Sequence, residues 1–334
     1  MAVSKKEARV EALTALAFIL PNVLGFVVFE LFPIVSSLVL SLFNWSPLSG
    51  TASFKASAQF VGLQNFWGVT GFHTHPGSSA LFTNDPNFWR FMGNTAFMML
   101  GIPLSIFGSL ILASLLSRKI KGAPLFITVF FLPSIVAGVA TFVLWSVLLN
   151  PESGVVNAIL GAAGVASPIR AVAHWIGLED PLLWHKSITW AKPALIMMGL
   201  WGSIGGYNMV LYLAALQSIP PALYEAAEID GAGAYHKFRH ITWPMVSPTT
   251  FFIFTMALIY GFQGGFDAAY VMTQGGPAGA TTTISYYIYN LAFSRRFEMG
   301  YASAVAWVLF IISFVLAMVN WRYGRRHVHG ELGV

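Results

Sequence analysis

The sequence predicts an all-α membrane protein with six transmembrane helices and both termini on the cytoplasmic side. Three observations predict it. Hydrophobic residues make up 56% of the chain and charged residues only 9%, against roughly 25% charged in a soluble globular protein. The apolar residues gather into runs that reach the about 20 residues needed to cross a hydrocarbon core of about 30 Å. The most polar segment in this background, Tyr224 to Pro244, lies between two such runs, Ile188 to Leu216 and Pro248 to Met272. There are no cysteines, which excludes disulfides and thiolate metal sites.

Taken in order, residues 1–11 are a basic cytoplasmic N-terminus carrying Lys5, Lys6 and Arg9. The apolar run over residues 12–43 is about twice the roughly 7–15 residues of a signal-peptide core. It is expected to be a retained first span, kinked at Pro21 and Pro33. Glu30 lies within it. An acid inside a span is a functional candidate by default, but beside Phe32-Pro33 it can also reach the headgroup layer. Residues 44–91 read as a polar, glycine- and aromatic-rich outer loop. Residues 92–321 hold five further spans: Met92–Leu116, Pro124–Leu149, Ile188–Leu216, Pro248–Met272 and Gly300–Trp321. Within them, Asn150–Ser187 reads as a second long loop and 219–247 as the polar knob. A cytoplasmic tail, 322–334, ends the chain.

Basic residues test this topology. The inner segments hold Lys5, Lys6, Arg9, Arg118, Lys119, Lys121, Lys237, Arg239, Arg322, Arg325 and Arg326. The longer outer segments and adjoining helix ends hold Lys55, Arg90, Arg170, Lys186, Lys192, Arg295 and Arg296. Eleven against seven places the knob in the cytoplasm by the positive-inside rule. The same distribution assigns the basic excess, 18 against 13 acidic residues, to cytoplasmic loops rather than to a nucleic-acid partner.

Locally the knob spells two short helices. Pro220 and Pro221 suit a first helical turn, and Asp230-Gly231 suits a glycine stop. A second helix, Ala234 to Ile241, is expected to stop before Pro244. Glu225-Ala226-Ala227, then Asp230-Gly231, then Ile241 and Pro244 at their spacing resemble the EAA loop of ATP-binding-cassette importer permeases. Trp243 stands where that family usually has leucine. The resemblance, to the glycerol-3-phosphate/maltose-type permeases of the sugar-uptake branch, extends over nearly the whole chain. It includes Leu213 to Pro220, Tyr270 to Pro277 with Thr283, Tyr289 and Ala292-Phe293, Gly300-Tyr301-Ala302, Phe60 to Phe66, and Asp85-Pro86 ahead of Phe88-Trp89. The stretches 68–83 and 161–185 look enlarged against it.

This resemblance implies a type I importer permease in the cytoplasmic (inner) membrane of a prokaryote. Implied partners are a second homologous permease subunit forming a heterodimer, two ATPase subunits, an extracytoplasmic binding protein and membrane lipid. It implies coupling to the ATPases through Glu225, Ala226, Ala227, Asp230, Gly231, Ile241 and Pro244. Its cargo is expected to be a di- or oligosaccharide, or alternatively glycerol-3-phosphate or another polyol-like solute. The chain has no GxxxxGK[ST] loop to cradle phosphates, so ATP and magnesium are expected on the partner ATPases. No cofactor and no catalysis are expected of this chain.

Polar and aromatic breaks in two spans are candidates for the sugar path: Trp201, Tyr207 and Asn208 on one, Tyr260, Gln263 and Asp267 on the other. Aromatic faces suit sugar C–H surfaces, and amides or carboxylates suit hydroxyls. The plainer reading is packing between spans. Two histidine pairs, His73 with His75 and His236 with His240, invite a metal reading. Zinc needs three or four ligands with supporting hydrogen bonds, and a solvated basic face suits the second pair better. An autonomous secondary transporter would need paired ionisable residues inside spans. Glu30, Asp267 and Lys192 show no evident partners. A membrane enzyme would need a catalytic constellation, and none is evident.

Overall fold

The computed structural model describes residues 5–48, 57–74, 81–118, 120–136, 138–294 and 297–328. Among the described residues, four helices are long and apolar enough to cross a membrane, and up to seven segments are if each bent helix pair is one span. The chain divides into two compact units: residues 1–85 with 288–308, and residues 86–287 with 309–334.

In the first unit α1, Lys5–Phe26, runs through a π-helical turn, Val27–Leu31, into α2, Phe32–Ser41. Pro21 and Pro33 do not end this helix. Pro33 has no N–H and would clash with the carbonyl four residues back. The wider turn just before it takes up the clash, and the N–H of Phe32 donates to the Val27 carbonyl instead. Glu30 is exposed within the π turn, and the helix continues beyond it to Ser41. The stretch expected as an outer loop carries small elements. β1, Phe43–Asn44, pairs antiparallel with β2, Gln59–Phe60. α3 spans Gln64–Thr70, and β3, Phe72–Thr74, pairs with β4, Leu81–Thr83. Asn65 donates to the carbonyls of Ser41 (2.8 Å) and Phe43 (3.0 Å), pinning α3 to the end of α2. Tyr301 donates to the buried Asp85 at 2.9 Å and Trp307 to Ser37 at 3.2 Å.

In the second unit the helix begins earlier than its apolar run, at Pro86. α4, Pro86–Met98, leads into α5, Gly101–Leu116. The next apolar run is two helices, α6, Ala123–Ile135, and α7, Gly138–Leu148, meeting at 97°. The stretch expected as a second long loop is largely helical. It holds α8, Val155–Ala162, α9, Ala166–Trp175, and a 3-10 segment, Pro181–Lys186. Its alanine- and glycine-rich composition hides the pattern, because small residues carry little hydrophobic contrast. α10, Ala191–Ile204, and α11, Tyr207–Gln217, bend by 41° at Gly205-Gly206. There a Cβ on Gly205 would collide with the Phe130 carbonyl of α6.

α12, Pro221–Ile229, is the first knob helix. α13, Ala234–Lys237, does not stop before Pro244. It continues through a π turn, Phe238–Thr242, into α14, Trp243–Gln263. The device is the one seen at Pro33: the N–H ahead of the proline, on Trp243, donates to Phe238. α14 ends at Gly264-Gly265, and a π segment, Ala268–Thr273, follows. α15, Ile284–Phe293, and α16, Met299–Val328, complete the chain, α16 running past the apolar stretch into the tail.

The core of this unit joins α5, α11 and α14 through Ile106, Leu110, Ala113, Met209, Tyr212 and Val246. Each is almost fully buried, and Tyr212 donates to Thr250 at 3.0 Å so that its hydroxyl is not orphaned.

Candidate functional site: the knob and the cavity behind it

The knob is held in shape by a glycine cap and a foot in the core. Gly231 has φ +73°. Around it the N–H of Ala232 donates to Ala227 at 2.8 Å and that of Gly231 to Glu228 at 3.0 Å. Those two bonds are the Schellman pairing that stops a helix on a left-handed residue. Lys237 on α13 bonds Glu228 on α12 at 2.8 Å, and the neighbouring ammonium holds the Glu228 carboxyl below the usual carboxylate range. Tyr224 and Thr242 share a hydrogen bond of 2.9 Å, and Ile219, Tyr224, Ile241 and Trp243 pack against the core.

The seven residues expected to couple to an ATPase differ in exposure. Glu225, Ala226, Asp230 and Gly231 are exposed, while Ala227, Ile241 and Pro244 are half-buried. Two residues that sequence reasoning did not single out dominate the tip: Ile229 is 88% and Tyr235 71% exposed. His236 and His240 stack at 5.9 Å, with His240 Nδ1 against the His236 carbonyl at 3.1 Å. His73 faces Asn84 at 2.8 Å, and His75 lies outside the described residues.

Behind the knob a cavity of about 490 Å³ opens between α4–α5, α7, α10–α11 and α14. Its wall is mostly apolar, with polar groups from Ser105, Ser203, Asn208 and Tyr260. Asn208 and Ser105 are 3.4 Å apart. The candidate path residues divide accordingly. Asn208 and Tyr260 line this cavity together. Trp201 lines a separate groove of about 580 Å³ against α6 and meets Trp145 edge-on at 5.6 Å. Tyr207 packs edge-on against Phe131 at 5.4 Å. Gln263 and Asp267 are exposed beyond the cavity lining, and the backbone carbonyl of Gln263 accepts from the Ser285 hydroxyl. Ser105 and Ser203 carried no sequence signal beyond being small hydroxyls in apolar helices.

A family model described as "Binding-protein-dependent transport system inner membrane component" matches residues 101–323. The chain belongs to this family. Its relatives include the probable ABC transporter permease protein YurN of Bacillus subtilis, 35% identical over 309 residues, 92% of this chain and 94% of that protein. The lactose transport system permease protein LacF of Rhizobium radiobacter is 34% identical over 312 residues, 92% of this chain and 93% of that one. Among solved structures, this permease shares its fold with a chain of a bacterial alginate ABC transporter, solved with an alginate pentasaccharide-bound periplasmic protein. That match has TM-score 0.74 at 24% identity and covers 97% of each chain.

Proposed function

We propose that this permease carries a di- or oligosaccharide across the cytoplasmic membrane, driven by partner ATPases that grip the knob. The observation that carries this reading is one helix. From Ala234 through the π turn to Gln263 the backbone is helical without a break. One end belongs to the exposed knob and the other, at Tyr260 and Gly261, to the cavity wall. At 1.5 Å per residue this rod is about 45 Å long, so a push at the knob moves the wall. α12 is joined to α11 across Ser218–Pro220, and α11 supplies Asn208 to the same cavity.

Closure of two ATP-loaded subunits would draw the knobs of this chain and a homologous second permease together and open the cavity outward. ATP and magnesium stay on the ATPases, and a binding protein delivers the cargo. Saccharide cargo is supported by the lactose-system relative and by the alginate transporter that shares the fold. It is supported too by the cavity, where an amide, hydroxyls and an aromatic ring interrupt an apolar wall, the composition that sugars need.

The test is uptake and ATP hydrolysis by the reconstituted complex. Asn208→Ala and Tyr260→Ala should each lower uptake several-fold, the loss of a hydrogen bond worth about 1 kcal/mol, while basal ATP hydrolysis holds. Tyr207→Ala and Gln263→Ala extend the series to the two neighbours outside the lining. If all four variants transport as wild type does, the sugar path runs elsewhere.

A further inference from the structure

The stretch between α7 and α10 carries an apolar face that its own unit leaves bare. Together α8 and α9 are apolar enough to pass as a membrane segment, yet they meet at 96°. Their 8 and 10 residues reach only about 12 and 15 Å, half a hydrocarbon core of about 30 Å or less. Neither can cross a bilayer.

A turn of 100° per residue sorts α9 into three arcs. Ala173 is buried, with Ala166 and Ile169 half-buried beside it. Next to them Val165, Pro168, Val172, Trp175 and Ile176 form an exposed apolar arc, Trp175 at 85% exposure. Opposite stand Ser167, Arg170 and His174, all exposed. α8 adds Val155 and Ile159, 51% and 62% exposed, with Ala158 and Ala162 on the same face.

Polar anchors away from the apolar arc fix this orientation. Asn157 of α8 donates to the carbonyls of Pro151 (3.0 Å) and Leu182 (3.1 Å) and accepts from Trp184 Nε1 at 2.7 Å. Arg170 pairs with Asp180 at 2.9 Å. Glycine caps at Gly164 and Gly177, both with φ +72°, set the angle at each end of α9. The bare arc is therefore built in.

We propose that α8–α9 is a monotopic anchor lying in the lipid interface of the leaflet remote from the knob, with Trp175 at the headgroup–acyl boundary. The occupant is phospholipid for three reasons. The exposed apolar surface continues along the chain from α7, where Val139, Val143 and Val147 are exposed on one face. A polar arc opposite an apolar one suits a helix in the interface plane, and tryptophan suits its depth. The segments on either side, α6–α7 and α10–α11, are themselves apolar enough to span. The stretch between them therefore rests at a membrane surface. This inference is independent of the cargo.

The chain has no cysteine, so single nitroxide labels can be placed in the full transporter, with partner subunits freed of cysteine and reconstituted in phospholipid vesicles. Labels at Val172→Cys and Trp175→Cys should collide several-fold more with oxygen, which partitions into lipid, than with a water-soluble nickel chelate. Ser167→Cys and His174→Cys should show the reverse. If Trp175→Cys fails to assemble, Val165→Cys and Ile176→Cys report the same arc. Ready access of the nickel chelate to the apolar arc would place it in water and overturn the proposal. Shielding from both reagents would overturn it too, in favour of a protein partner such as the binding protein or second permease.

Discussion

Gly231 shows how one residue can set the shape of the knob. A Cβ built there meets nothing within 4 Å, so any cost of substitution comes from the backbone. A left-handed residue with a side chain costs roughly 1–2 kcal/mol, less for asparagine and more when the side chain is β-branched. A graded series follows: Gly231→Asn near wild type, Gly231→Ala intermediate, Gly231→Val without coupling. Each variant should reach the membrane normally, since insertion depends on the spans. Substrate-stimulated ATP hydrolysis with ATPase pull-down is the readout, and wild-type behaviour of Gly231→Val would remove the knob from the mechanism. Glu228 nearby has its pKa lowered by Lys237. Its contribution to the knob is present above the unfolded carboxylate pKa and is lost only as pH falls through the lowered folded value, so neutral pH leaves the bridge intact.

At the scale of elements, two prolines sit inside long helices behind π turns. Pro244→Ala restores an N–H that can reach the His240 carbonyl, and the π turn at Phe238–Thr242 then has no cause. We expect it to relax to α-helix and to break the Tyr224–Thr242 bond. Subunit assembly should be normal and coupling reduced, measured as uptake per ATP hydrolysed. Unchanged coupling would mean that the π turn is incidental. The glycine stop at Gly231 was legible in the sequence because its cause is local, a single residue free to adopt positive φ. The continuation through Pro244 was not. It depends on Ile241 and Trp243 packing on the core and on the Tyr224 bond, none of which neighbouring residues announce. The break at Gly205-Gly206 was hidden likewise, since its cause is the approach of α6. The cavity was legible only where an amide or a phenol interrupted an apolar run, which found Asn208 and Tyr260 but passed over Ser105 and Ser203.

For the whole molecule the number of crossings decides the sidedness of every loop. If α8–α9 rests on the surface, the four long helices and the two remaining bent pairs make six crossings. Reporter fusions after the tail and within residues 219–247 should then be cytoplasmic, and fusions within 150–187 should be outside. A cytoplasmic reporter in 150–187 would require a different crossing count. The basic residues pointed to this arrangement because the membrane sorts lysine and arginine by side whatever the details of packing.

The buried middle of α14 has a mechanical consequence. Val246 and Ile253 are almost inaccessible, and Thr250 between them bonds Tyr212. In the proposed mechanism that clasp would serve as a fulcrum. At 1.5 Å per residue it lies about 24 Å from Ala234 and about 15 Å from Tyr260. The two arms are unequal, and the one toward the knob is longer. A swing of the knob about it would be geared down to roughly six-tenths of its size at the cavity wall, with force multiplied in the same proportion. Under the proposed mechanism, coarse travel at the ATPase would become fine, forceful adjustment around the cargo.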